Sequence, residues 1–317
     1  MFIVAMSMSW ACSSPGTKSV IDGPSLSKCP LTCGMGSDAD CCSENAIPGG
    51  AFFRDFDVGT DGRWSDMSHL ASVSSFRLDT FEVTVGRFRE FIEAGAGVVA
   101  MAPQSGTGSH GRIAGSGWNP GWDQFLAANT DSLIASLTCA PTATWTDSSG
   151  KNENLPINCV GWYEAFAFCI WDSGYLPTVA EWNYAAVGGS DQRAYAWSQP
   201  PNALAVDCDH AAYNDQAGCS AMSTVGAKPA GNGRWGQVDL AGNVSEWSLD
   251  WLSTIYALPC SDCASLSEDP AAGPFRANRG GSFRDVAMYL RSADPRGGAQ
   301  PNSTSEAIGV RCAHEMP

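Results

Sequence analysis

The stretch GNGRWGQVDLAGNVSEW, Gly231 to Trp247, decides the fold. Its glycines at 231, 233 and 236 permit a backbone with positive φ, and Leu240, Val244 and Trp247 then supply apolar anchors at roughly helical spacing after Gly242 and Asn243. A loop so punctuated and so anchored holds one shape. Downstream of it come RANRGGSFRD, Arg276 to Asp285, and IGVRCA, Ile308 to Ala313.

In this order, GNVSEW, RGGS and GVRC resemble the motifs GN(V/A)xEW, RGGS and G(F/V)RC of the formylglycine-generating enzyme family, also called the sulfatase-modifying factor family. Three further landmarks lie upstream: IPGGAF from Ile47, FRLDTFEVTVGRFREF from Phe76, and LPINCVGWYEAFAFCIWDSGYLPTVAEWNYAA from Leu155 to Ala186. One tripeptide would be weak evidence, but six motifs in order are specific. The resemblance covers residues 47 to 313 and implies an irregular, loop-rich α+β fold of the C-type-lectin-like kind, rich in disulfides. The expected organisation is a leader over 1–12, a flexible linker over 13–28, a cysteine-rich knot over 29–46 and the formylglycine-generating-enzyme-like domain over 47–317.

Composition agrees with such a domain. Thirty-four glycines, 18 prolines and 12 tryptophans in 317 residues describe loops pinned by large aromatics rather than a helical bundle. The net charge of −15, from 33 acidic and 18 basic residues, repels nucleic acid and anionic membranes alike. No stretch reaches the roughly 18 unbroken apolar residues of a membrane-spanning helix. Thirteen cysteines suit an oxidising compartment, so the chain reads as exported: periplasmic, a cell-surface lipoprotein, or secreted. Met1 to Ala11 is a short apolar signal-like segment with no basic residue, and Ser9-Trp10-Ala11-Cys12 places a small residue before a cysteine, as at a lipoprotein cleavage site. Cys12 is either a lipid anchor, leaving twelve cysteines to pair, or an incidental cysteine of the leader.

Local signals place several elements. Ser75 to Val83 alternates as a half-buried strand, Thr84 caps a helix whose Val85, Phe88, Phe91 and Ile92 share a face, and Gly95 ends it. A short helix is expected within 123–137. Trp162, Ala165, Phe166, Cys169 and Ile170 line one face of another helix, and Thr178 with Glu181 makes a capping box for the next. Trp118, Trp122 and Trp145 are loop anchors or stacking platforms for a sugar or peptide. His110 has no second histidine nearby and is not read as a metal ligand.

Cys29, Cys33, Cys41 and Cys42 predict two local disulfides of undetermined pairing, since adjacent cysteines do not match zinc knuckles. Near-neighbour spacing predicts Cys208 with Cys219, Cys260 with Cys263, and Cys139 with Cys159. The resemblance implies a bridge from Cys169 to Cys312. Cys260-Ser-Asp-Cys263 is a CxxC, but no βαβ pattern surrounds it, which favours a structural clip over redox work.

The chemistry turns on the segment after RGGS. The resemblance implies two copper-binding cysteines there, and alignment on Arg279 to Ser282 puts Asp285 and Leu290 in their places. Copper(I) needs thiolates, so copper is not expected, and no catalytic residue is assigned. Ser282 lies outside any GxSxG context and reads as a turn residue. A binding face of Ser282, Arg284, Asp285, Tyr289 and Arg291 for a peptide, protein or glycan is the expectation, and with it a pseudoenzyme. The alternatives are an oxidoreductase of the formylglycine-generating type acting on a sulfatase or another protein, and a structural cell-envelope protein. The resemblance also implies a structural calcium held by Asn243, the Val244 carbonyl and Glu246; against it stands a turn-capping Asn243 and a Glu246 salt-bridged to an arginine.

Overall fold

The computed structural model describes residues 31–34, 39–215 and 218–317. The leader, the linker and residues 29–30 and 35–38 of the knot, Cys12 and Cys29 among them, lie outside the described residues. A hairpin, β1 (Thr32–Cys33) and β2 (Ala39–Asp40), is followed by β3 (Glu44–Ile47), β4 (Gly50–Phe53), β5 (Leu70–Val73) and β6 (Phe76–Asp79). Four helices follow: α1 (Val85–Glu93), α2 (Thr130–Ser136), α3 (Trp162–Trp171) and α4 (Val179–Ala186). The last part returns to strands: β7 (Ser245–Trp251), β8 (Cys260–Ser261), β9 (Arg276–Arg279), β10 (Gly298–Ala299), β11 (Ile308–Gly309) and β12 (Ala313–Glu315).

Besides the β1-β2 hairpin, the described strands form three small sheets, of order β12-β6-β3, β4-β5-β8 and β10-β9-β7-β11. Each joins an early strand to a late one or gathers the late motifs, so the C-terminal third organises the domain. The segment 245–251 is a strand and not a helix, despite the spacing of Leu240, Val244 and Trp247. It pairs with β9 and β11, and that ladder overrides a local 3.6-residue signal.

Local signals in the helices are honoured. The Thr84 side chain accepts the Arg87 N–H, and Thr178 and Glu181 form a reciprocal capping box. The strand expected over 75–83 shrinks to β6, and the helix expected within 123–137 becomes a 3-10 turn, Pro120–Phe125, and α2. Asn119 caps the first by accepting the Gly121 N–H, and Asn129 caps the second by accepting the Ser132 N–H. A cap inside a helical run restarts it.

Helix α3 is buried almost all round, with Tyr163, Ala167 and Phe168 as enclosed as the face carrying Trp162 and Phe166. It lies in an aromatic cluster: Phe168 stacks on Phe88 at 5.5 Å, and Trp162 meets Trp122 edge-on at 5.2 Å. Trp118 and Trp145 are buried and Trp122 is half-buried against the same cluster, so these three tryptophans are packing anchors. His110 is also interior, its Nε2 3.2 Å from Glu181.

Disulfides join Cys33 to Cys41, Cys139 to Cys159, Cys169 to Cys312, Cys208 to Cys219 and Cys260 to Cys263, and Cys42 is disulfide-bonded too. Every described cysteine is therefore oxidised. Cys33 and Cys41 pack with Phe81, Val225 and Val238, which seats the hairpin on the domain. Among the described residues no helix is long and apolar enough to cross a membrane.

Candidate functional site

The RGGS turn follows β9 and needs its glycines. Gly280 has φ of 99°, and a Cβ there would stand 3.1 Å from the Leu240 carbonyl oxygen and 3.2 Å from the Trp182 ring. Gly281, at φ of 66°, would put a Cβ 2.7 Å from the Tyr289 carbonyl oxygen. The turn thus lets Gly242 N–H reach the Gly280 carbonyl at 3.0 Å and Phe283 N–H reach the Asn243 carbonyl at 2.8 Å. The two motifs are clasped backbone to backbone.

Beside this clasp lies a cavity of about 310 Å³ whose wall includes Asn278, Asp285, Tyr289, Asp294, Arg296 and Ser305. Arg296 donates to both oxygens of Asp294 at 2.7 Å, and its guanidinium lies 4.5 Å from the Tyr289 ring centre and 5.0 Å from that of Trp64. The carboxylate hydrogen-bonds hold Arg296 protonated more firmly than an ordinary arginine. An exposed aromatic, a fixed cation and two carboxylates therefore border one concavity.

Of the five residues expected to line a binding face, the structure brings two to this cavity, Asp285 and Tyr289. Asp285 Oδ2 accepts from Ser282 N–H at 2.9 Å and from Ser282 Oγ at 2.6 Å, which fixes the turn. Ser282 is fully enclosed by that role. Arg291 does not reach the surface either: it is 3% exposed, donates through Nε to Asp57 at 3.1 Å and through Nη1 to Asp61 at 3.0 Å. Arg284 is exposed but lies outside the cavity wall, paired with Glu306. Asn278, Asp294, Arg296 and Ser305 were missed, because they come from β9 and from loops that only the tertiary fold brings together. Arg296 alone carried a signal, as an arginine flanked by Pro295 and Gly297.

Copper does not fit here. Leu290 is 1% exposed in the main hydrophobic core and offers no donor atom, Asp285 is tied to Ser282, and every described cysteine is in a disulfide. Calcium does not fit its expected donors either. Glu246 accepts from Arg311 Nε at 2.9 Å and Nη2 at 2.6 Å through Oε1, and from Trp182 Nε1 at 2.6 Å through Oε2. Asn243 Oδ1 accepts the Ser223 N–H at 3.0 Å, while Asn243 Nδ2 donates to Glu82 at 2.7 Å. A cation bound to Glu246 would adjoin a buried guanidinium, and the alternative reading, a salt bridge to arginine, is what the structure holds.

Around this pair stand more carboxylates than cations. Glu82 is fully buried, and burial, then Asp239 and Glu246, push its carboxyl well above the ordinary range. Burial raises Asp239 to about 6 and Glu164, at the start of α3, to about 7. The folded state thus keeps protons that the unfolded chain releases near pH 4, so stability falls as pH rises through the window from about 4 to about 7. His314 and His110 act in the same direction: their folded pKa values are raised above 6.5 despite burial, by Asp79 and Glu181 respectively, so their contribution is full below that pH and is lost above it. The melting temperature is expected to be higher at pH 5 than at pH 7.5 by calorimetry, and Glu164→Gln is expected to flatten part of the decline. A profile that rises from pH 5 to 7.5 would contradict this.

The profile of the sulfatase-modifying factor enzyme 1-like domain matches residues 37–316. A formylglycine-generating enzyme of Streptomyces coelicolor is 29% identical over 295 residues, covering 85% of this chain and 88% of that protein. The inactive C-alpha-formylglycine-generating enzyme 2 of Mus musculus is 29% identical over 290 residues, covering 84% of each. The solved structure of PvdO from Pseudomonas aeruginosa superposes with a TM-score of 0.60 at 20% identity, covering 86% of this chain and 94% of that one, which speaks for the fold alone.

Proposed function

The chain belongs to the sulfatase-modifying factor enzyme 1-like family, and on that premise we propose that it is a member without the copper oxidase chemistry that binds a polar peptide, protein segment or glycan in the RGGS cavity. One observation carries the reading: Leu290 is packed into the core where a second copper-binding cysteine would stand, while the adjoining cavity keeps Tyr289, Arg296, Asp285 and Asp294 on its wall. A ring face beside a fixed guanidinium suits a sugar or a peptide side chain, and the carboxylates supply acceptors for its donors. The similarity to a relative named as inactive supports the loss of chemistry on this scaffold.

We also propose that the chain is exported to an oxidising compartment, periplasmic, cell-surface or secreted, where Cys12 is available for a lipid anchor. The support is its cysteine usage. Screening the oxidised protein on peptide and glycan arrays is expected to give a ligand whose affinity falls about tenfold or more in Tyr289→Ala, as for a central aromatic contact. Arg284→Ala, outside the cavity wall, is expected to leave it unchanged. Loss of binding in Arg284→Ala with none in Tyr289→Ala would move the site elsewhere. Stoichiometric copper in purified protein would overturn the absence of oxidase chemistry.

A further inference from the structure

A second cavity, of about 470 Å³, has Cys263, Arg54, Tyr256, Asp250, Glu268 and Arg279 in its wall. Cys263 is half-buried at that wall, whereas its disulfide partner Cys260 is 3% exposed on β8, which pairs in parallel with β5. One sulfur of the CxxC pair therefore meets the cavity and the other backs onto a sheet.

Arg54 singles out the accessible sulfur. Its Nη1 is 3.5 Å from Cys263 Sγ, its Nη2 donates to the Ala257 carbonyl at 3.1 Å, and its guanidinium lies 4.5 Å from the Tyr256 ring centre. Arg54 is only 6% exposed, and its Nε has no hydrogen-bond partner. The nearby acids serve other groups: Asp55 pairs with Arg279 and accepts from Tyr256, Asp250 takes the N–H groups of Val179 and Ser265, and Asp269 those of Thr254 and Ala271. Glu268 lines the cavity as well. A disulfide sulfur is a neutral, weak acceptor, whereas a thiolate beside a buried guanidinium is a charge-matched partner. The guanidinium thus favours reduction of the pair with Cys263 as the thiolate.

We propose that the Cys260–Cys263 disulfide is a thiol–disulfide exchange site for a low-molecular-weight thiol admitted by this cavity. The thiolate of one such molecule attacks Cys263 Sγ, a mixed disulfide forms, the Cys260–Cys263 bond breaks, and its electron pair leaves on Cys260, which takes up a proton. A second thiolate attacks the small molecule's sulfur in the mixed disulfide and Cys263 departs as thiolate beside Arg54. Two thiols are oxidised to one small disulfide, and the protein disulfide takes up the two electrons. The cavity volume is that of a small-molecule site.

The test uses the full chain in its native, oxidised state, with reduced glutathione as the probe, followed by alkylation and peptide mass spectrometry. Cys260–Cys263 is expected to open about tenfold or more faster than Cys169–Cys312 and Cys139–Cys159, with near-ultraviolet circular dichroism unchanged. In the reduced wild-type pair, alkylation of Cys263 is expected to be half-maximal below about pH 8.5, the value of a free cysteine. Arg54→Lys is expected to keep that midpoint low, and Arg54→Met to raise it. The proposal is overturned if the pair opens only together with the interior bridges, or if the wild-type midpoint lies at or above the free-cysteine value; both readings use unaltered protein. A midpoint that Arg54→Met leaves unchanged in a folded variant would also overturn it.

Discussion

Removing the Cys169–Cys312 bridge, by Cys169→Ala with Cys312→Ala, is expected to destabilise the domain by about 5 kcal/mol in the chain-entropy account of cross-links. The two cysteines are 143 residues apart, so the bond closes a large loop of the unfolded chain and forbids many of its conformations. It also has no slack in the folded state: both cysteines are fully buried, one on α3 and the other three residues after β11. The double replacement is the right variant, since a single one leaves a buried thiol able to reshuffle. The Cys208–Cys219 bridge spans 11 residues and is expected to matter less, about 3 kcal/mol on the same account. Thermal and urea midpoints measured side by side decide the order. A smaller loss from the long bridge than from the short one would show that the unfolded chain is already compact around Cys169 and Cys312.

Glu246→Ala is expected to cost about 3–5 kcal/mol, the usual result of stranding one member of a buried ion pair. Arg311 is fully enclosed and uses all five of its N–H groups: Nε and Nη2 on Glu246, Nη1 on the carbonyls of Asp79 and Thr80, and Nη2 also on the Val238 carbonyl. Deleting the carboxylate leaves an unpaired charge and takes the acceptor from the Trp182 indole N–H. Pairing it with Arg311→Met does not restore the loss in full, because the carbonyls of Asp79 and Val238 then lose the Arg311 donor, while that of Thr80 keeps the Val238 N–H. The double variant is nevertheless expected to be more stable than the sum of the two singles predicts, a coupling that a double-mutant cycle reads directly. A Glu246→Ala variant within about 1 kcal/mol of wild type would mean that water or another acid reaches Arg311.

The same pair explains why part of the candidate site escaped the sequence. GNVSEW and GVRC were visible as separate motifs, but Glu246 and Arg311 are 65 residues apart and nothing local announces their contact. The calcium reading took the donor types at face value. In the structure those donors serve the fold. Arg291 repeats the point: its position just after the turn suggested a surface role, yet Asp57 and Asp61, 234 and 230 residues away, draw it inside.

By itself the sequence determined the family, the order of the landmarks, and the caps of α1 and α4. These are readable because capping, glycine turns and side-chain identity act over a few residues. Only the tertiary structure decided that Ser245–Trp251 is a strand, that the cavity beside RGGS is walled by Asn278, Asp294, Arg296 and Ser305, and that Arg54 stands against Cys263 from 209 residues away. In a loop-rich domain of short strands, the ladder partners, the buried counter-ions and the concave surfaces all come from segments remote in sequence. Their free energy arises from burial and desolvation when those segments meet, and no window of neighbouring residues contains it.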